Sequence, residues 1–138
     1  MSEPFATLLG DSFRMLADEA PPAHGAVLRH LGSLVVGLDV DGEEMAVVAR
    51  PPDLVVERRV PGHPPDVRIG TTRNTIAAVI DGHLSLRDTI RTGALEVVGD
   101  LGTIARVHDA FVAYTHGAVR SPTFPTLLAR LRTTEVAG

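Results

Sequence analysis

The chain has 138 residues, 44% hydrophobic and 22% charged, with a formal net charge of -4, so it is long enough to bury one core and too apolar to stay disordered. No block of Lys and Arg supplies the clustered positive charge that phosphate contacts need, which excludes a nucleic-acid surface. The absence of Cys removes disulfides, thiol nucleophiles and thiolate metal sites.

The start, MSEPFATLLGDSFR, places acids early and lacks a basic n-region with a long apolar run. No later stretch approaches the roughly 18 apolar residues of a membrane span. The expectation is a cytoplasmic protein of one domain spanning residues 1–138. Phe5, Leu8, Leu9, Phe13 and Leu16 recur at three- and four-residue spacing, which predicts an amphipathic helix over residues 4–19. Pro21 and Pro22 end it, and a shorter helical turn follows through Val27, Leu28 and Leu31.

After Gly32 the period changes to two. Leu34, Val36, Leu38 and Val40 fall on one face of a strand, with Val35, Gly37 and Asp39 on the other. Asp41-Gly42 tolerates the positive backbone angles of a tight hairpin, so EMAVVAR returns as a second strand. LVVERRV is the third strand, VPGHPPD a proline-rich connection and DVRIG the fourth strand.

From Thr71 the pattern is helical through Ile76, Val79 and Ile80, with Gly82 as a break. Ser85 and Asp88 have capping-box spacing at the head of the next helix, and Gly93 suits its C-terminal cap. ALEVVGD is the fifth strand. It leads into LGTIARVHDAFVAYTHG, where Leu101, Ile104, Ala105, His108, Phe111, Val112 and Thr115 share one predicted face. A last amphipathic helix through Phe124, Leu127, Leu128 and Leu131 is the element whose position the sequence constrains least.

The succession DVRIGTT, IAAVIDGHLSLRDTIRTGALEVVGD and LGTIARVHDAF resembles the sterol carrier protein 2 (sterol-transfer) domain family. Gly93, Leu95, Val97, Gly99 and Asp100 match its G-x-L-x-V-x-G-D strand, and the resemblance covers roughly residues 31–116. It implies an α+β fold: a five-stranded, mostly antiparallel sheet covered on one face by helices, with an apolar tunnel between the layers. It also implies binding or transfer of a sterol, fatty acid, acyl-CoA or similar lipid.

The residues expected to line such a tunnel are Ile76, Val79, Ile80, Leu84, Ile90 and Leu95, with Val97, Ile104, His108, Phe111 and Val112. The same positions would also serve as ordinary core. About ten ligand carbons at about 0.8 kcal/mol per methylene would supply roughly 8 kcal/mol before ordering costs.

His108 stands out, because an imidazole on an apolar stripe needs a partner. It reads either as a core histidine bonded to a carbonyl or carboxylate, or as a group that meets a ligand and acts as acid or base; Tyr114 is a second weak catalytic candidate. His83, beside Asp81, Arg87 and Asp88, reads as a polar mouth or as a solvated helix junction.

His24, His30, His63 and His116 make no metal-binding pair on a helix, no glycine run cradles phosphate and no serine sits in a nucleophile elbow. No metal and no cofactor is expected. Arg58, Arg59, Arg68 and Arg73 could gather against an acyl-CoA phosphate, although alternation parts the first two. The expected partner is an apolar small molecule, with a membrane or an enzyme as a transient second. Two alternatives stay open: a biosynthetic enzyme or accessory protein acting on a polyketide- or terpenoid-like substrate through His108, and an interaction module whose cavity its own tail fills.

Overall fold

In the computed structural model the described residues are 3–57 and 64–136, the last four as backbone alone. The expectations for Arg58, Arg59 and His63 lie outside them. Helices α1 (Phe5–Glu19) and α2 (Pro21–Leu31) precede strands β1 (Val35–Val40), β2 (Glu43–Arg50), β3 (Asp53–Glu57) and β4 (Val67–Thr71). Helices α3 (Arg73–Ile80) and α4 (Leu86–Thr92), strand β5 (Glu96–Gly99), and helices α5 (Leu101–Ala118) and α6 (Phe124–Val136) complete the chain.

The strands form one sheet in the order β3-β2-β1-β4-β5. Only β1 and β4 run parallel; the other three pairings are antiparallel. Asp41 and Gly42 turn the β1–β2 hairpin with φ of 54° and 87°, the left-handed pair such a turn requires. The Asp41 carboxylate also accepts from the Arg73 amide at 3.0 Å, so the hairpin tip meets the start of α3.

Pro21 and Pro22 do more than end α1. They occupy the first turn of α2, where a missing amide costs nothing and a fixed φ helps. The expected short turn is therefore an eleven-residue helix. Its C-terminus reaches Gly32, at φ 54° and ψ -122°. Arg106 of α5 donates to the carbonyls of His30 and Leu31, both at 3.2 Å, placing a cation on the negative end of α2. A Cβ at Gly32 would sit 2.5 Å from that guanidinium.

At the other end of α5, Gly117 lies where α1, α2 and α5 meet. A Cβ there would fall 2.4 Å from the Ala23 Cβ and 2.7 Å from the Leu16 Cδ1. The head of α1, which follows Pro4, has no side-chain cap of its own. Glu43 of β2 supplies one, accepting from the amides of Phe5 at 2.7 Å and Ala6 at 3.0 Å.

Candidate functional site

Alternation along β1 sends Val36, Leu38 and Val40 to the helical side of the sheet, as the sequence implies, and together with Val47 of β2 they floor a cavity of about 210 Å³. Its walls come from Phe5, Leu8 and Leu9 of α1, Ile76 and Ile80 of α3, Phe111 and Tyr114 of α5, and Phe124, Leu127, Leu128 and Leu131 of α6. Leu9, Leu38, Ile76, Ile80, Phe111, Tyr114 and Leu128 are only half-buried although they line the interior. The space between the layers is not fully filled by side chains.

Of the expected lining residues, Ile76, Ile80 and Phe111 stand on this wall. Val97 and Ile104 pack instead against the neighbouring cluster around Phe13, Leu16 and Val27, and Val79 and Leu95 are half-buried away from the wall. Leu84, Ile90 and Val112 are exposed. His108 is also corrected: its side chain is 53% exposed and its Nδ1 lies 3.6 Å from the Asp109 carboxylate, outside the cavity.

The reason is a rotation of α5 by one residue, about 100°. Its inward face is Val107, Ala110, Phe111, Tyr114 and Gly117, with Gly117 set closely against Leu16 and Ala23 where α1, α2 and α5 meet. The stripe drawn in the sequence shares Phe111 and Ile104 with the buried side, but it puts Tyr114 at its edge and His108 at its centre.

Tyr114 is thereby a wall residue. Its ring meets Phe13 edge-on at 6.0 Å. Burial raises its phenol above the ordinary pKa, and the Ser12 hydroxyl beside it offsets part of that rise. Ser12 is itself buried and donates to the Leu9 carbonyl at 2.7 Å. Among the described residues no buried side-chain nitrogen or oxygen lacks a partner. Of the described residues that line the cavity, Ser12 and Tyr114 alone carry polar side chains.

α6 closes the cavity on one side and is held by polar contacts along its rim. Arg130 bonds Glu3 at 3.1 Å and Asp11 at 2.8 Å, Arg132 pairs with Asp81, and the Thr123 amide donates to Glu19 at 2.9 Å. The Arg130 bond holds the Asp11 carboxyl below its ordinary pKa, and the bonds from Thr123 do the same for Glu19.

The remaining polar candidates do not converge here. His83 is exposed at the junction after α3. Arg73 is buried over the Phe5 ring, whereas Arg68 lies on the opposite face of the sheet. There it lines a second hollow with Asp39, Glu44 and Glu96 beside Val98, a surface that offers charge instead of hydrocarbon. Among the described residues no three His, Cys, Asp or Glu side chains gather as a metal site, and no helix is long and apolar enough to cross a membrane.

The sequence matches no family model and no curated protein. Solved structures do match. The protein titled "UbiJ-SCP2 Ubiquinone synthesis protein" superposes with a TM-score of 0.57 at 23% identity, over 81% of this chain and 96% of that one. The sterol carrier protein domain 2 of Helicoverpa armigera gives 0.55 at 16% identity, over 80% and 85% of the two chains.

The chain has the sterol carrier protein 2 fold. Sterol carrier protein 2 from Yarrowia lipolytica, in its apo form, shares it with a TM-score of 0.51 at 12% identity, over 86% of this chain and 90% of that one. In sterol carrier terms, the cavity lies between the sheet and its helical cover, where the sequence resemblance led us to expect an apolar tunnel.

Proposed function

We propose that this chain is a carrier of the sterol carrier protein 2 family that takes up a small apolar molecule reversibly and shields it from water. The observation that carries the reading is the cavity of about 210 Å³ walled almost wholly by hydrocarbon. An engineered cavity of about 150 Å³ admits benzene, so by volume this one suits roughly eight carbons. At about 0.8 kcal/mol per methylene such a ligand gains roughly 6 kcal/mol before ordering costs, enough for weak, exchangeable binding.

Carriage is favoured over catalysis by the chemistry of the wall. His108, the acid or base of the enzymatic alternative, is half exposed beside Asp109 and does not line the cavity, and the Ser12 hydroxyl on the wall is already bonded to the Leu9 carbonyl. α6 supplies a wall but leaves the volume open, which counts against a module filled by its own tail. One similar structure is named for ubiquinone synthesis, and service to a biosynthetic enzyme or a membrane is compatible with a carrier.

The test is organic extraction of freshly purified protein followed by mass spectrometry, with a mock purification as control, then titration of lipid-free protein with eight-carbon probes. Recovered hydrocarbon ligand and saturable uptake are expected. Failure to take up any probe would overturn the reading.

A further inference from the structure

α5 carries a second apolar face that the interior does not use. Leu101, Ala105, His108, Val112, Thr115 and Val119 recur at alternating four- and three-residue steps, the spacing by which one helix packs along another. By helical geometry this seam lies across α5 from the buried Ala110 and Gly117. Leu101 is 86% exposed, Val119 67% and Val112 36%, and the His108 side chain is 53% exposed. Val119 keeps helical angles at the C-terminal cap, φ -65° and ψ -18°, so the seam runs about 27 Å from Leu101. Among the described residues nothing covers Leu101 or Val119.

The seam is its own complement. With a two-fold axis at the level of Ala110 and the helices antiparallel, Leu101 meets Val119 of a second copy, Ala105 meets Thr115 and His108 meets Val112. Large apolar residues thus meet at the two ends and small ones inside them. The Thr115 hydroxyl already donates to the Val112 carbonyl at 2.9 Å, so it brings no orphan donor into the contact. The same pairing sets Asp100, at the head of α5, against Arg120, just past its tail, twice per dimer, and both residues are exposed. A parallel pair would put Asp100 on Asp100 and Arg120 on Arg120. The like-charge approach in the antiparallel pair is that of Asp109 to its own copy, and each Asp109 has His108 within 3.6 Å. A lipid surface is a poorer match: the net charge is -4 and Asp100 and Asp109 stand beside the seam, where anionic headgroups repel them.

We infer that the outer face of α5 is the interface of a reversible homodimer, two copies of this chain paired antiparallel along that helix. One helix pair of this length buries less than the roughly 1,200 Å² at which standard interfaces begin, so the dimer exchanges with monomer as concentration changes. Phe111, on the cavity wall, flanks the seam, which places the second copy beside the cavity. This interface is independent of the carrier reading.

The test is sedimentation velocity of the full-length protein from micromolar to near-millimolar concentration, where a monomer–dimer equilibrium is expected. Ala105→Glu brings a carboxylate into the seam from each copy, and Val119→Glu adds one beside Asp100. Each should weaken association at least about tenfold and, at an exposed position, leave the far-UV circular dichroism of the monomer as it is. Arg120→Glu should weaken association about threefold at low salt and less at high salt. The chain has no Cys, so introduced thiols report the geometry cleanly. Leu101→Cys mixed with Val119→Cys should cross-link on mild oxidation, whereas neither should cross-link with itself, its two thiols lying about 27 Å apart.

A chain that stays monomeric throughout overturns the inference, as does one that stays monomeric and binds phosphatidylglycerol vesicles instead. Ala105→Glu and Val119→Glu dimers as tight as the native one also overturn it. Self-cross-linking of Leu101→Cys in place of the mixed pair would overturn the antiparallel arrangement. The carrier reading stands or falls separately, on uptake of the eight-carbon probes.

Discussion

Leu38→Phe separates an unfilled interior from a packed one by the sign of its effect. Leu38 sits mid-sheet, paired with Met45 on one side and Ile69 on the other, and lines the cavity floor while only half-buried. The substitution adds three carbons. If they enter empty space, burial at about 0.8 kcal/mol per carbon stabilises the fold by about 2 kcal/mol, and a ring suits a strand as well as leucine does. If the interior is already filled, the same carbons force off-rotamer packing that costs about 1–3 kcal/mol. Urea denaturation of lipid-free protein gives the difference directly, and thermal unfolding should rise by about 6 °C. Octanol uptake should fall at least about tenfold as the ring takes its place. A destabilised variant, or a stabilised one that still binds octanol as before, would refute the reasoning.

Gly117→Ala sets a helix-propensity gain of about 1 kcal/mol against Cβ contacts of 2.4 Å and 2.7 Å; we expect a net loss of about 1–2 kcal/mol by chemical denaturation, and a gain would show that the three-helix junction yields. Arg130→Met should lower stability by about 1 kcal/mol or less at pH 7, because the network is partly exposed and screened. Asp11 has a lowered folded-state pKa, so its contribution is complete above the ordinary carboxylate range near about pH 4 and disappears as pH falls through the lowered value. The gap between native and variant urea midpoints should therefore narrow on acidification, and a constant gap would count against the assignment. His108→Ala should change stability by less than about 0.5 kcal/mol and leave octanol affinity alone; a large loss of binding would return His108 to the site.

All five strands and their order along the chain were legible in period-two patterning and turn residues, down to the Asp41-Gly42 hairpin and the cap at Gly93, whose φ is 81°. Ser85 caps α4 through the Asp88 amide at 3.0 Å as its spacing implies, while the Asp88 carboxylate pairs with Arg91. The extent of α2 was hidden by reading Pro21 and Pro22 only as a stop. Asp100 at the head of α5 carried a missed signal, since an Asp three residues before Thr103 is a helix cap, and its carboxylate accepts from Thr103 at 2.9 Å.

The site was less legible than the fold, because a rotation about a helix axis leaves every residue on its helix and changes what each one faces. Ala110 and Gly117 turn α5 through contacts with other helices, information absent from its own pattern. The apolar stripes of α1 and α6 were visible in the sequence, but nothing in either said that both would face Leu38. Ser12 had no local signal: a serine on an apolar stripe becomes meaningful only beside Tyr114, 102 positions away in the chain.

The junction at Gly117 makes the container stiff on one side and compliant on the other. Where α1, α2 and α5 cross, the side chains of Leu16, Ala20 and Ala23 close directly over Gly117. Across the cavity, α6 is fastened by long arginine arms and by Glu19, which can lengthen or let go. A guest of unusual girth therefore does its work against the hinge-like margin near Arg130 and Arg132, and tolerance for cargo shape becomes a mechanical property of one helix.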